Sequence, residues 1–175
     1  MQYKPHKYQQ YATKFILEHP VAAILLDMGL GKSVITLTAI QQLILQGKVH
    51  RVLGVAPLRV AKQTWPEEIE KWDHLKDLTY SVVTGSKIQR IKALQQNVDI
   101  YIINRENLKW LIESSGVPFD YDMLVIDELS SFKSYRSQRF KALKRVRPLV
   151  KRVVGLTGTP SSNGFVGRIS GAGHG

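Results

Sequence analysis

Cysteine is absent from this 175-residue chain, which excludes disulfides and thiolate-bound metals and suits a reducing interior. Histidine is sparse, and the five at positions 6, 19, 50, 74 and 174 show no metal-ligand spacing such as H-x-x-x-H. No apolar run approaches the roughly 18 residues needed to span a bilayer, so no membrane association is expected. The opening stretch MQYKPHKYQQ lacks an apolar core of the kind signal peptides carry, which argues against secretion and for the cytoplasm. Acidic residues run out altogether. None occurs after Glu128, while ten Lys and Arg follow it, and the chain carries a net charge of +11. A balance this basic favours a polyanion partner, nucleic acid before a membrane surface. Charge alone leaves two readings open, a solvated basic face and contact with DNA or RNA.

What is present is a regular alternation. With 43% hydrophobic residues the chain can build one domain with a full core. Apolar runs at 21–27, 51–57, 78–85, 98–104, 121–128 and 151–158 read as strands. Their near-continuous Val, Ile and Leu content predicts burial on both faces, as in a parallel sheet. Between them lie helical patterns at 6–18, 32–46, 86–96, 105–114 and 134–147. The first places Tyr8, Tyr11, Phe15 and either Ala12 or Leu17 at helical spacing, and the second is apolar nearly all round, hence buried. The segment 59–73 carries Pro66, which predicts a kink or a helix restart. Trp65, Trp72 and Trp110 sit at amphipathic positions and read as packing residues. Strand–helix alternation indicates an α/β fold, an open, mainly parallel sheet with helices on both sides. The Gly-rich stretch 164–175 has nothing to make a core. It reads either as an altered terminus or as a flexible linker, leaving 1–163 as the folded domain.

Three motifs sit at predicted strand ends. The first is LLDMGLGKS, residues 25–33, which resembles a phosphate loop except that Leu26 stands where the G-x-x-x-x-G-K-[ST] pattern has glycine. A strand ends at Asp27, Gly29, Leu30 and Gly31 form the loop, and a long helix opens at Lys32. That order points backbone N–H groups and a positive helix end at a triphosphate. Lys32 would neutralise β- and γ-phosphate charge, and the Ser33 hydroxyl would bind Mg²⁺. The second is MLVIDELS, residues 123–130. It puts Asp127 and Glu128 at the carboxyl end of a strand, the edge where such sheets bind ligands. Nucleotide hydrolysis needs one carboxylate near Mg²⁺, suiting Asp127, and another to orient or deprotonate water, suiting Glu128. The third is GLTGTP, residues 155–160, by itself an ordinary turn.

In this order, DMGLGKS, VIDELSSFKS and GLTGTPSSN resemble motifs I, II and III of superfamily-two helicases. The fuller text is similar to Swi/Snf-type DNA translocases, particularly compact phage versions. VAPLRVAKQTWPEEIEKW (55–72), VVTGSKIQR (82–90), IINRENL (102–108) and HKYQQYATKFI (6–16) match further segments of that family. The resemblance implies a three-layer RecA-like lobe that binds ATP and Mg²⁺ and couples hydrolysis to movement on duplex DNA. It implies a bacterial or phage-infected cell as the setting. Loops of this type commonly keep only the two later glycines, so Leu26 is not a defect. By the same resemblance Gln9 contacts adenine. Ser130, Thr157, Gly158 and Thr159 couple the phosphate site to DNA movement, and Lys62, Thr84, Gly85 and Asn104 line the DNA path.

Two departures stand out. Ser130 replaces the histidine usual at that position, and the family's second RecA-like lobe, with its arginine finger, does not follow motif III. Such a finger can be worth about 10³ to 10⁵ in rate. The expectation is therefore an ATP-binding lobe that binds nucleotide and DNA weakly and hydrolyses very slowly in isolation. Rival readings are a restriction-enzyme motor lobe, a P-loop kinase or small NTPase complete in one domain, and a nucleic-acid-binding module with a vestigial loop.

Overall fold

A computed structural model describes residues 1–25, 31–129 and 137–157. The chain begins with α1 (Lys7–Glu18), β1 (Val21–Leu25), α2 (Lys32–Leu45) and β2 (Val52–Ala56). A π-helical turn, Val60–Thr64, then leads into α3 (Trp65–Lys71) and β3 (Tyr80–Val83). There follow α4 (Lys87–Leu94), β4 (Ile100–Asn104), α5 (Leu108–Glu113), β5 (Met123–Asp127), α6 (Gln138–Val146) and β6 (Arg152–Thr157). Each of the six apolar runs is a strand, and all pair in parallel in the order β1-β6-β5-β2-β4-β3.

That order decides where the helices lie. The connections β1 to β2 and β2 to β3 both travel toward the β3 edge, and the three that follow travel back. Parallel crossovers are almost always right-handed, so the reversal moves the connecting helices to the opposite face. One layer accordingly holds α1, α2 and α3, packed on Ile24, Val52, Ile100, Ile102, Met123, Val125 and Leu156. The other holds α4, α5 and α6, packed on Leu53, Val55, Tyr101, Ile103, Leu124 and Ile126. Successive residues of one strand serve opposite cores, which is why β2, β4 and β5 are buried throughout and read as unbroken apolar runs.

Three local findings refine the sequence reading. The buried side of α1 is Gln9, Ala12, Thr13 and Ile16, whereas Tyr11 is 72% and Tyr8 41% exposed. Pro66 falls in the first turn of α3, so the helix restarts there after the π turn. The fully buried Trp65 packs against β2, and Gly54 is the residue that admits it, since a Cβ at 54 would stand 2.9 Å from its ring.

Candidate functional site

The carboxyl ends of β1, β6 and β5 are adjacent, with Leu25 in register with Thr157 and Leu156 with Asp127. α2 starts beside them. Its N-cap, Gly31, has φ +75°, a left-handed conformation natural to glycine, and a Cβ there would lie 2.7 Å from Nε2 of Gln9. Lys32 opens the helix and reaches across to β5. Its Nζ stands 2.9 Å from Oδ1 of Asp127 and 3.0 Å from Oε1 of Glu128. Ser33 is buried on the same first turn, and Thr36 donates to the Lys32 carbonyl at 2.8 Å.

Asp127 is 1% exposed. Its Oδ1 accepts from Lys32 and from the Glu128 N–H at 2.9 Å, while Oδ2 is buried with no partner among the described residues. Burial dominates its titration and lifts the carboxyl above the usual aspartate range, the attraction of Lys32 working against this. For Lys32, burial opposes the charge, but Asp127 and then Glu128 together outweigh it and hold the ammonium above its ordinary value. Glu128 adopts φ +61°, a conformation that non-glycine residues visit rarely and that stores strain.

A cavity of about 710 Å³ opens over this group. Gln9, Gly31, Lys32, Ser33 and Glu128 form one side of it. Gln9 is 7% exposed, and its Oε1 accepts the His6 N–H at 2.9 Å. Tyr3, Glu68, Lys71 and Trp72 also line it and were not foreseen from sequence. Trp72 donates to Glu68 at 2.6 Å, lies 4.6 Å beneath the Lys71 ammonium, and meets Tyr3 edge-on at 5.3 Å. No pattern in the sequence ties the first residues to the end of α3, because that contact depends on how three helices pack.

The second group of expected residues sits at the ends of β2, β4 and β3. Lys62 is exposed on the π turn after β2, and Thr84 and Gly85 follow β3. Gly85 has φ +87°, and a Cβ there would collide with Oε1 of Gln89. Asn104 is 6% exposed, and both ends of its amide are occupied: it donates to Glu106 at 3.1 Å and accepts from Asn107 at 2.8 Å. Its geometry is that of a residue shaping the turn. Thr157 ends β6 and is buried. Gly29, Leu30, Ser130, Gly158 and Thr159 lie outside the described residues, as does the 164–175 stretch.

This geometry can be set beside known proteins. The family model described as SNF2-related domain matches residues 8–167. The chain belongs to the SNF2-related domain family. A phage relative of this SNF2-related domain, protein p41 of Acyrthosiphon pisum secondary endosymbiont phage 1, is 36% identical over 171 residues. The match takes in 94% of this chain and 37% of p41. A DNA repair and recombination protein RAD54-like from Drosophila erecta is 27% identical, with 78% of this chain and 19% of that protein matched. The Sulfolobus solfataricus SWI2/SNF2 ATPase core, solved in complex with double-stranded DNA, superposes with a TM-score of 0.78 at 24% identity. It covers 94% of this chain and 34% of that one. The Type ISP restriction-modification enzyme LlaGI superposes with a TM-score of 0.60 at 17% identity, over 90% of this chain and 18% of that one. The SNF2-related domain thus spans about a third or less of these proteins. The structural neighbours agree with the single parallel sheet and its two helical layers.

Proposed function

We propose that this domain is the Mg-ATP-binding lobe of a DNA-dependent ATPase of the helicase or translocase type, working on duplex DNA together with a second RecA-like lobe. The observation that carries the reading is the position of the Lys32 ammonium. It lies within 3.0 Å of both Asp127 and Glu128, at the N-terminus of a long helix and on the wall of a nucleotide-sized cavity.

The first N–H groups of α2 have no acceptor within the helix and face this cavity's edge, so a phosphate would meet donors already in place. Lys32 is then the mobile cation. Leaving the carboxylates for the β- and γ-phosphates, it exchanges two acceptors for others of the same charge. The move frees Glu128 to accept a proton from an attacking water. Asp127 stays where it is, held by the Glu128 N–H. The residues fit a magnesium ion: the buried Oδ2 of Asp127 is an orphaned anionic oxygen, and Ser33 offers a hydroxyl. Among the described residues no cluster of three His, Asp or Glu could cage a metal. That suits Mg²⁺, which is held by one or two carboxylates plus substrate phosphates. When bound it would supply charge neutralisation across the transferring phosphoryl group. Gln9, which lines the cavity beside Gly31, would contact the adenine edge. Duplex DNA would pass over the ends of β2, β4 and β3, where Lys62 supplies charge and Thr84 and Gly85 a bare turn. The double-stranded DNA bound by the Sulfolobus neighbour and the net charge of +11 support duplex DNA as the partner.

The isolated lobe should turn over very slowly, so the decisive measurement is binding. Mg-ATP at ten times its Kd should raise stability by about 1.4 kcal/mol, roughly 3–6 °C in Tm. Glu128→Gln should keep this shift and Lys32→Ala should lose it. An unshifted parent at millimolar Mg-ATP, or an unaffected Lys32→Ala, overturns the reading.

A further inference from the structure

The proposed motor leaves one charged feature unused. Residues 137–151 hold six cations, Arg139, Lys141, Lys144, Arg145, Arg147 and Lys151, and no acid, which is more than half of the net +11. α6 shows how they are displayed. Its inner side, Phe140, Leu143 and Val146, is packed in the core with α5, while Lys141, Lys144 and Arg145 are exposed. At spacings of three and four these three share one stripe.

Neighbouring acids neutralise only part of it. Arg139 pairs with Glu106 at 3.7 Å, and Arg145 with Glu113, which Lys109 also holds at 3.2 Å. Among the described residues no carboxylate lies within 4 Å of Lys141 or Lys144. The Lys144 ammonium lies over the Phe140 ring, 5.8 Å from its centroid. Like charges kept together at some cost to the fold indicate an external counter-charge. A lipid surface fits poorly, because the apolar side that would enter it is already buried in the core. Lys141 and Arg145 are separated by about 6 Å along the helix. That is about twice the 3.4 Å charge repeat of one B-DNA strand.

We propose that the exposed stripe Lys141, Lys144 and Arg145 is a second contact for the duplex backbone, on the helical layer opposite the nucleotide cavity. It reads no sequence and needs no ATP. It would hold a stretch of duplex other than the one at the ends of β2, β4 and β3, or the same duplex where it bends past α6.

The test is fluorescence anisotropy of a labelled 30-base-pair duplex against salt, without nucleotide. It compares the parent, Lys141→Gln/Lys144→Gln/Arg145→Gln, and a control that removes equal charge from the other layer, Lys14→Gln/Lys48→Gln/Lys76→Gln. Each lost phosphate contact removes about 0.9 from the slope of log Kobs against log salt. The α6 variant should lose two to three units of slope, the control less than one, with both keeping the parent's Tm and Mg-ATP shift. Equal losses in the two variants would reduce the stripe to overall charge and overturn the proposal. An unchanged slope in both would do the same. An α6 variant that keeps its DNA affinity but no longer binds polyglutamate would assign the stripe to acidic protein, overturning it as well. Loss of the Mg-ATP shift in the parent would strike the motor reading and leave this one standing.

Discussion

The two halves of the sheet's carboxyl edge are built on opposite principles. Where β1, β6 and β5 end, the described residues are under tension: a glutamate in a left-handed conformation, a carboxylate oxygen buried without a partner, and one ammonium shared between two acids. Where β2, β4 and β3 end, the turn and cap groups are paired, although Nε of Arg90 is buried without a partner among the described residues. Ser86 accepts from the Gln89 N–H at 3.2 Å while Gln89 returns the bond to the Ser86 N–H at 2.8 Å, closing the cap of α4. Arg90 donates to Asn107, Asn107 to Asn104 and Asn104 to Glu106, a chain of side-chain bonds, and Arg90 stacks on Trp110 at 4.1 Å. Strain and unmet charge gather where a ligand would relieve them, and a surface that must keep its shape is capped and locked. A motor would use both: one half to change state, the other to keep its grip.

Substitutions can break that contrast. The largest effect belongs to Lys32→Ala, which should erase Mg-ATP binding and, in a two-lobed protein, cost at least about 10²-fold in turnover while leaving duplex affinity within twofold. Lys62→Ala should do the reverse, reducing the salt slope of DNA binding by about 0.9 with no change in the ATP-induced Tm shift. If either variant disturbs both ligands equally, the halves are not separate. Next comes Gly54→Val at the boundary between them. Its side chain would press on the Trp65 ring, costing about 1–3 kcal/mol by urea denaturation without altering the ratio of the two ligand affinities. Gly85→Ala forces φ +87° on a residue with a Cβ that meets Gln89. A loss of about 1–2 kcal/mol is expected, with weaker DNA binding and normal ATP binding.

The smallest effect has the opposite sign. The folded Asp127 carboxyl sits above its ordinary value because it is buried. Its contribution to stability is present below the unfolded pKa of about 3.9 and is lost as pH rises through the folded value. At neutral pH the ionised group therefore weighs against the fold. Asp127→Asn should leave Tm unchanged or raise it by up to a few degrees at pH 7, and abolish Mg²⁺-dependent nucleotide binding. A clear drop in Tm would show that the pair with Lys32 outweighs burial.

The sequence made the strained half easier to read than the satisfied half. Apolar runs located all six strands because burial on both faces leaves no polar interruption, and Lys32, Asp127 and Glu128 stood out because their residue types have a shared chemistry. Strand order was not visible, since an unbroken Val-Ile-Leu run carries no mark of its neighbours. Of the α1 residues at helical spacing, Ala12 is buried and Phe15 and Leu17 pack against the core, whereas Tyr8 and Tyr11 are exposed and Gln9, Thr13 and Ile16 complete the buried side. Tyr3 and Trp72 joined the cavity through contacts among helices far apart in the chain. Asn104 was expected to line the DNA path, and its burial, with the amide held by Glu106 and Asn107 two and three residues away, was not visible in the sequence.

The adjacency of the first and last strands has a mechanical corollary. Leu25 and Thr157 are register partners, so the end of β6 lies about 4.8 Å from the residue that precedes the proposed phosphate loop. A displacement of the Thr157 end of β6 would therefore pass directly to the Leu25 end of β1, beside the proposed nucleotide site, across a single strand spacing.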